Sequence, residues 1–163
     1  MMVKEILVFL QTAEPEFKSY ITANVISTAE KFAPDKRWHV DTVLNVLVSA
    51  GSYIRDDLVA DIVRLISSTK ELQPYAVYKL YQALKRDSTH TSLVKVSTWC
   101  VGEFADLLLQ RNLEEEEVEE VTEDEIVNLL ECLLHTPGIP QRSGDYIINA
   151  LMKLTTRLSS TIL

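Results

Sequence analysis

Histidines and cysteines that could hold a metal, glycine turns that could cradle a phosphate, and paired carboxylates that could move protons are the chemistry-bearing residues of this chain. His39, His90 and His135 fall in separate stretches, with no second histidine four residues on and no cysteine at ligand spacing, so no zinc site is indicated. The four glycines, Gly51, Gly102, Gly138 and Gly144, are too scattered for a phosphate-binding loop. Gly102 falls between Val101 and Glu103 in a helical pattern, which predicts the close approach of a neighbouring helix backbone. Asp56-Asp57 and Glu103 with Asp106 lack a nucleophile and a pocket-forming loop beside them. Asp56 and Asp57 are accounted for by the positive end of a helix dipole, worth about 0.3 to 1 kcal/mol each. These residues predict a binding scaffold rather than an enzyme, with no catalytic residue, no metal and no cofactor.

Two charged regions remain as contact candidates. Lys36, Arg37 and Trp38, with Lys31 and His39, form a basic, aromatic-bearing corner at an inter-helix turn; a partner or an anionic headgroup fits there, as does a solvated turn whose Trp38 packs back on its own hairpin. Glu114, Glu115, Glu116 and Glu117 open an acidic run, which reads either as a contact or as a solvated loop. Residues 114–125 supply nine of the 24 acidic residues, so the rest of the chain is closer to neutral than the net charge of −8 suggests. That balance argues against nucleic acid, which needs clustered Lys and Arg.

The elements that must carry these residues are helices. No apolar run approaches the roughly 20 residues of a membrane span, and the 163 residues suffice for one packed core. Cys100 and Cys132 lie within apolar helical patterns, which predicts reduced core thiols in a cytoplasmic protein, and the opening residues do not resemble a secretory signal. Apolar positions step by three and four throughout: Val3 to Leu10; Phe17, Ile21, Val25, Ala29, Phe32; Val40 to Leu47; Val59 to Ile66; Val77 to Leu84; Leu93 to Leu107; Ile126 to Leu133; Ile147 to Leu158. Pro15, Pro34-Asp35, Gly51 and Pro137-Gly138-Pro140 punctuate them, and Thr122 with Glu125 forms a capping box. Eight helices in four hairpins, starting near positions 2, 36, 72 and 123, predict an all-α alpha-solenoid of stacked HEAT- or armadillo-like hairpins, one unit over residues 1–163. The acidic insertion 113–121 lengthens the third hairpin. Met2 to Leu10 is apolar nearly all round and Leu158 to Leu163 ends without a cap, so the chain is expected to be cut from a longer array and, with Val8, Phe9 and Leu163 uncovered, to self-associate or show marginal stability.

Several strings carry a resemblance in sequence order. MMVKEILVFLQTAEPEFK, AEKFAPDKRWHVDTVLNVLVSAGSYIRDD, STWCVGEFADLL, the EEEE run followed by VTEDEIVNLLE, and ALMKLTTRL resemble the trunk of the gamma-adaptins, large chains of the type 1 clathrin adaptor complex; alpha-, delta- and epsilon-adaptins are less similar. The resemblance is to a middle-to-late stretch of that trunk. It implies a scaffold assembled with beta-, medium- and small-chain adaptor subunits and recruited by an Arf-type GTPase and phosphoinositide. It also implies vesicle-mediated protein transport between the trans-Golgi network and endosomes, with clathrin bound through parts of the subunit not contained here. Its location would be cytoplasmic, reaching Golgi membrane and clathrin-coated vesicles only peripherally through the assembled complex. Another HEAT or armadillo carrier is the alternative within binding proteins, and a helical enzyme or regulatory domain the alternative from another class.

Overall fold

Capping chemistry sets several helix starts in the computed structural model, which describes residues 5, 14–50, 54, 56–109 and 121–157. Helix α1 (Pro15–Phe32) opens on a proline, whose missing N–H costs nothing in a first turn. Helix α2 (Lys36–Ala50) is capped by Asp35, whose Oδ1 accepts the Trp38 backbone N–H at 2.7 Å. Asp56 and Asp57 occupy the first turn of α3 (Asp56–Ser68), facing its positive dipole end. A 3-10 turn, Lys70–Leu72, leads into α4 (Gln73–Arg86), and α5 (Thr91–Leu109) follows. Helix α6 (Glu123–His135) starts in the expected capping box: Glu125 N–H donates to Thr122 Oγ1 at 3.3 Å, and Thr122 N–H donates to Glu125 Oε2 at 3.1 Å. Gly138, at φ +88°, turns the chain into α7 (Ile139–Arg157).

Packing follows the sequence order. Consecutive helices α1–α2, α4–α5 and α6–α7 pack as hairpins, while helices two apart lie side by side: α3 beside α5, α5 beside α7, and α2 beside α4. All secondary structure among the described residues is helical, and the array is the alpha-solenoid of stacked hairpins that the spacing predicts, except that α2 packs chiefly on α1 and not on α3, its expected hairpin partner. One apolar cluster runs from Val25 on α1 through Leu47, Ile62, Leu80, Leu93 and Ile126 to Leu154 on α7. Each such Leu or Ile stabilises the fold by roughly 1.5 to 3 kcal/mol on full burial.

Helix α5 is the keel, packed on α3, α4 and α7. Its backbone departs from helical geometry at Phe104 (φ −118°, ψ 26°), two residues after Gly102, a residue type that favours kinks. Across the layers, Lys95 Nζ reaches Asp56 Oδ1 at 2.9 Å, Ser92 donates to the Ile54 carbonyl at 2.9 Å, and Lys153 of α7 pairs with Glu103.

Three expectations are corrected. Phe17 and Phe32, read as the ends of a core stripe, are 57% and 75% exposed. The chief neighbour of α1 among the described elements is α2; Val25 and Ala29, in the body of α1, are buried, whereas its two ends are not. Cys100 is buried, and burial pushes its thiol pKa up, but Cys132 is exposed. It stands two residues past Leu130, about 200° around α6 from the buried stripe. Gly51, Leu158 to Leu163, Glu114 to Glu117 and the first expected helix, apart from Glu5, lie outside the described residues. Of 113–121, only Val121 is described, and it is buried.

Candidate protein-interaction surface

The N-terminal ends of α2 and α4 lie together, so the basic corner is built by two helices rather than by one turn. Lys36, in the first turn of α2, places Nζ 2.9 Å from Oε1 of Glu71 in the 3-10 turn. That contact, with a backbone hydrogen bond, holds the Glu71 carboxyl below its ordinary range, although both side chains remain largely exposed. An exposed pair of this kind is screened by solvent and adds little to stability.

Arg37 is engaged in a tighter cluster. Its Nε approaches Asp41 Oδ2 at 3.5 Å, one helical turn on, and its guanidinium carbon stands 3.6 Å from the centre of the Tyr75 ring. Tyr75 Oη donates to Asp41 Oδ1, closing a three-residue clamp between α2 and α4. Burial, reinforced by the Asp41 carboxylate, pushes the Tyr75 pKa up to about 12. Lys79, a turn further along α4, brings its ammonium to 5.6 Å from the same ring centre.

Beyond the clamp runs a groove of about 440 Å³ between the same two helices. Leu44, Leu80, Ala83 and Leu93 give it an apolar floor, and Val48, 48% exposed, stands on its rim. Asp41, Lys79, Arg86 and Asp87 supply charge of both signs, and Asn45 and Gln82 supply amides. The Gln82 amide donates to Tyr78 Oη at 2.9 Å. Such a mixture of apolar floor and polar rim suits protein contact.

Of the sequence-derived candidates, Lys36 and Arg37 are exposed in the first turn of α2, and Trp38 is half-buried beside them. The Lys36–Glu71 contact, 35 residues apart, and the Tyr75–Asp41 bond, 34 residues apart, have no local signature in the sequence. His39 is half-buried in a smaller depression with Val43, Asp61 and Arg64, His90 Nε2 lies 3.7 Å from Asp87 Oδ2, and His135 is exposed in the last turn of α6. Among the described residues, no three His, Cys, Asp or Glu side chains gather at metal-binding distance, and no helix is long and apolar enough to cross a membrane.

Comparison with known proteins gives concordant matches. The model of the adaptin N terminal region matches residues 1–161. The mouse protein named AP-1 complex subunit gamma-like 2 is 44% identical over 157 residues, 96% of this chain and 20% of that protein. The Dictyostelium discoideum AP-1 complex subunit gamma is 38% identical over 167 residues, 99% of this chain and 19% of that protein. An Arabidopsis thaliana AP-2 complex subunit alpha-1 is 36% identical over 109 residues, 67% of this chain and 11% of that protein. The chain thus spans about a fifth of the length of the gamma subunits it matches.

Proposed function

The chain belongs to the adaptin family, and from that premise we propose that it is a scaffold segment of a clathrin-associated adaptor complex. The observation that carries this reading is the match over residues 1–161 to the adaptin N terminal region, borne by a stacked array of helical hairpins. Such arrays expose long, rigid surfaces on which partners are positioned, and each hairpin needs only its neighbours for stability. The segment works by holding other chains in a fixed arrangement, and no step requires a catalytic group.

Its partners, on this reading, are the beta-, medium- and small-chain adaptor subunits, with an Arf-type GTPase recruiting the assembled complex to Golgi membrane from the cytoplasm. The cargo route is trans-Golgi network to endosome. Clathrin is engaged by other parts of the subunit. The contact surface on this chain is the α2–α4 face, with Lys36, Arg37 and Trp38 at one end and the apolar-floored groove along it; the acidic run Glu114 to Glu117 is a second contact.

Two further apolar strips support a role in assembly. Phe17, Tyr20 and Phe32 on α1, and Ile148 and Met152 on α7, are each at least half exposed, which suits cover by further chain or partner.

Co-expression of the chain with the beta, medium and small adaptor chains tests the proposal. A complex that survives size-exclusion chromatography is the expected result. Elution of the chain apart from all three would overturn it, and retention by an unrelated armadillo cargo peptide instead would favour a transport carrier.

A further inference from the structure

We propose that the groove between α2 and α4 seats an acidic amphipathic helix of a partner protein, with apolar side chains on the groove floor and carboxylates against Lys79 and Arg86. The inference rests on the scaffold reading above and adds to it the chemistry of the occupant.

The walls of the groove have helical spacing. Asp41, Leu44, Asn45 and Val48 line it from α2, and Lys79, Gln82, Ala83 and Arg86 line it from α4. Both sets stand at i, i+3, i+4 and i+7, so each helix turns one face of two turns into the groove, roughly 11 Å long at 1.5 Å per residue. Both helices start at the same end, where Tyr75 of α4 donates to Asp41 of α2. Leu44, Leu80 and Leu93, all buried, form the floor, and Val48 on the rim is 48% exposed. The volume of about 440 Å³ falls within the range of ligand sites. A helix laid along such a floor anchors through apolar residues three, four and seven apart.

Charge selects which helix fits. The groove is lined by two carboxylates and two cations, but only the cations are available. Asp41 lies 3.5 Å from Arg37 Nε and accepts the Tyr75 hydroxyl. Asp87 accepts the Thr89 N–H at 2.9 Å and the Thr89 hydroxyl at 2.6 Å, with His90 Nε2 3.7 Å away. Lys79 lies over the Tyr75 ring at 5.6 Å, and neither it nor Arg86 has an ion-pair partner among the described residues. In a chain of net charge −8, this wall is locally positive. Lys79 and Arg86 are seven residues apart on α4, so glutamates or aspartates seven apart on an aligned helix meet both. A basic helix meets two like charges and two carboxylates already bonded, which excludes it.

The test titrates two synthetic stapled helical peptides of about 15 residues into the isotope-labelled 163-residue chain, following backbone amide shifts. One peptide carries leucines at i, i+3 and i+7 flanked by glutamates seven apart; the other has lysine in place of each glutamate. The glutamate peptide should shift amides within 41–48 and 79–86 saturably and bind about tenfold more tightly than the lysine peptide. Lys79→Glu with Arg86→Glu should reverse that preference, and Lys79→Gln with Arg86→Gln should abolish it, both with melting temperatures near the wild type. Equal binding of the two peptides, shifts elsewhere in the chain, or an unchanged preference in the glutamine variant would overturn the proposal. A dimer of the chain alone that the glutamine variant dissolves would overturn it in favour of a second copy as occupant. An adaptor complex formed at full yield by a chain that binds neither peptide would overturn the proposal and leave the scaffold reading standing. Selective peptide binding by a chain that forms no adaptor complex would support the groove chemistry and overturn the scaffold reading.

Discussion

Gly102 of α5 and Ala150 of α7 meet so closely that a Cβ added to Gly102 would stand 2.9 Å from the Ala150 Cα and 3.0 Å from its Cβ. Backbone, not a flexible side-chain end, fills the space, so the two helices touch along a seam that only glycine permits. Helix propensity alone would make Gly102→Ala stabilising by about 1 kcal/mol. The contact predicts the opposite sign, a loss of about 1 to 3 kcal/mol in chemical denaturation. An unchanged or raised midpoint would show that the helices separate at no cost.

The Tyr75 clamp predicts a pH dependence. Its pKa, about 12 when folded, lies above the ordinary value near 10, so the neutral phenol is favoured by folding. Its contribution is complete below pH 10 and is lost as pH rises through about 12. Unfolding free energy measured from pH 8 to 12 should therefore fall more steeply in the wild type than in Tyr75→Phe. Parallel curves would remove the clamp.

Thr122→Ala should cost about 1 kcal/mol by freeing the Glu125 N–H, while Thr122→Ser should keep most of it. Equal stability of the two variants in thermal melts would mean that the box contributes nothing. This cap was legible because Thr, Glu and the apolar run they precede all lie within one turn. The Pro15 and Asp35 starts, and the glycine at the helix seam, were legible for the same reason. The Arg37–Tyr75–Asp41 cluster was not, because its members meet only once α2 and α4 are stacked. Periodicity also overstated burial at Phe17, Phe32 and Cys132: it marks which positions are apolar, whereas exposure depends on how far each neighbouring helix extends.

Lys36→Glu together with Trp38→Ala separates binding from stability. Lys36 contributes only an exposed ion pair, so the Lys36→Glu change should leave stability close to that of the wild type. Yield of the co-purified adaptor complex should drop severalfold, read by densitometry against the wild type. Full recovery of the complex would remove this corner from the contact surface.

Hydrogen–deuterium exchange, compared between the chain alone and the chain co-expressed with the beta, medium and small adaptor chains proposed as its partners, addresses the scaffold most directly. Slowed exchange at the starts of α2 and α4, with the already buried middle of α5 unchanged, is the predicted pattern. Identical exchange along α2 and α4 in the two samples would contradict the account.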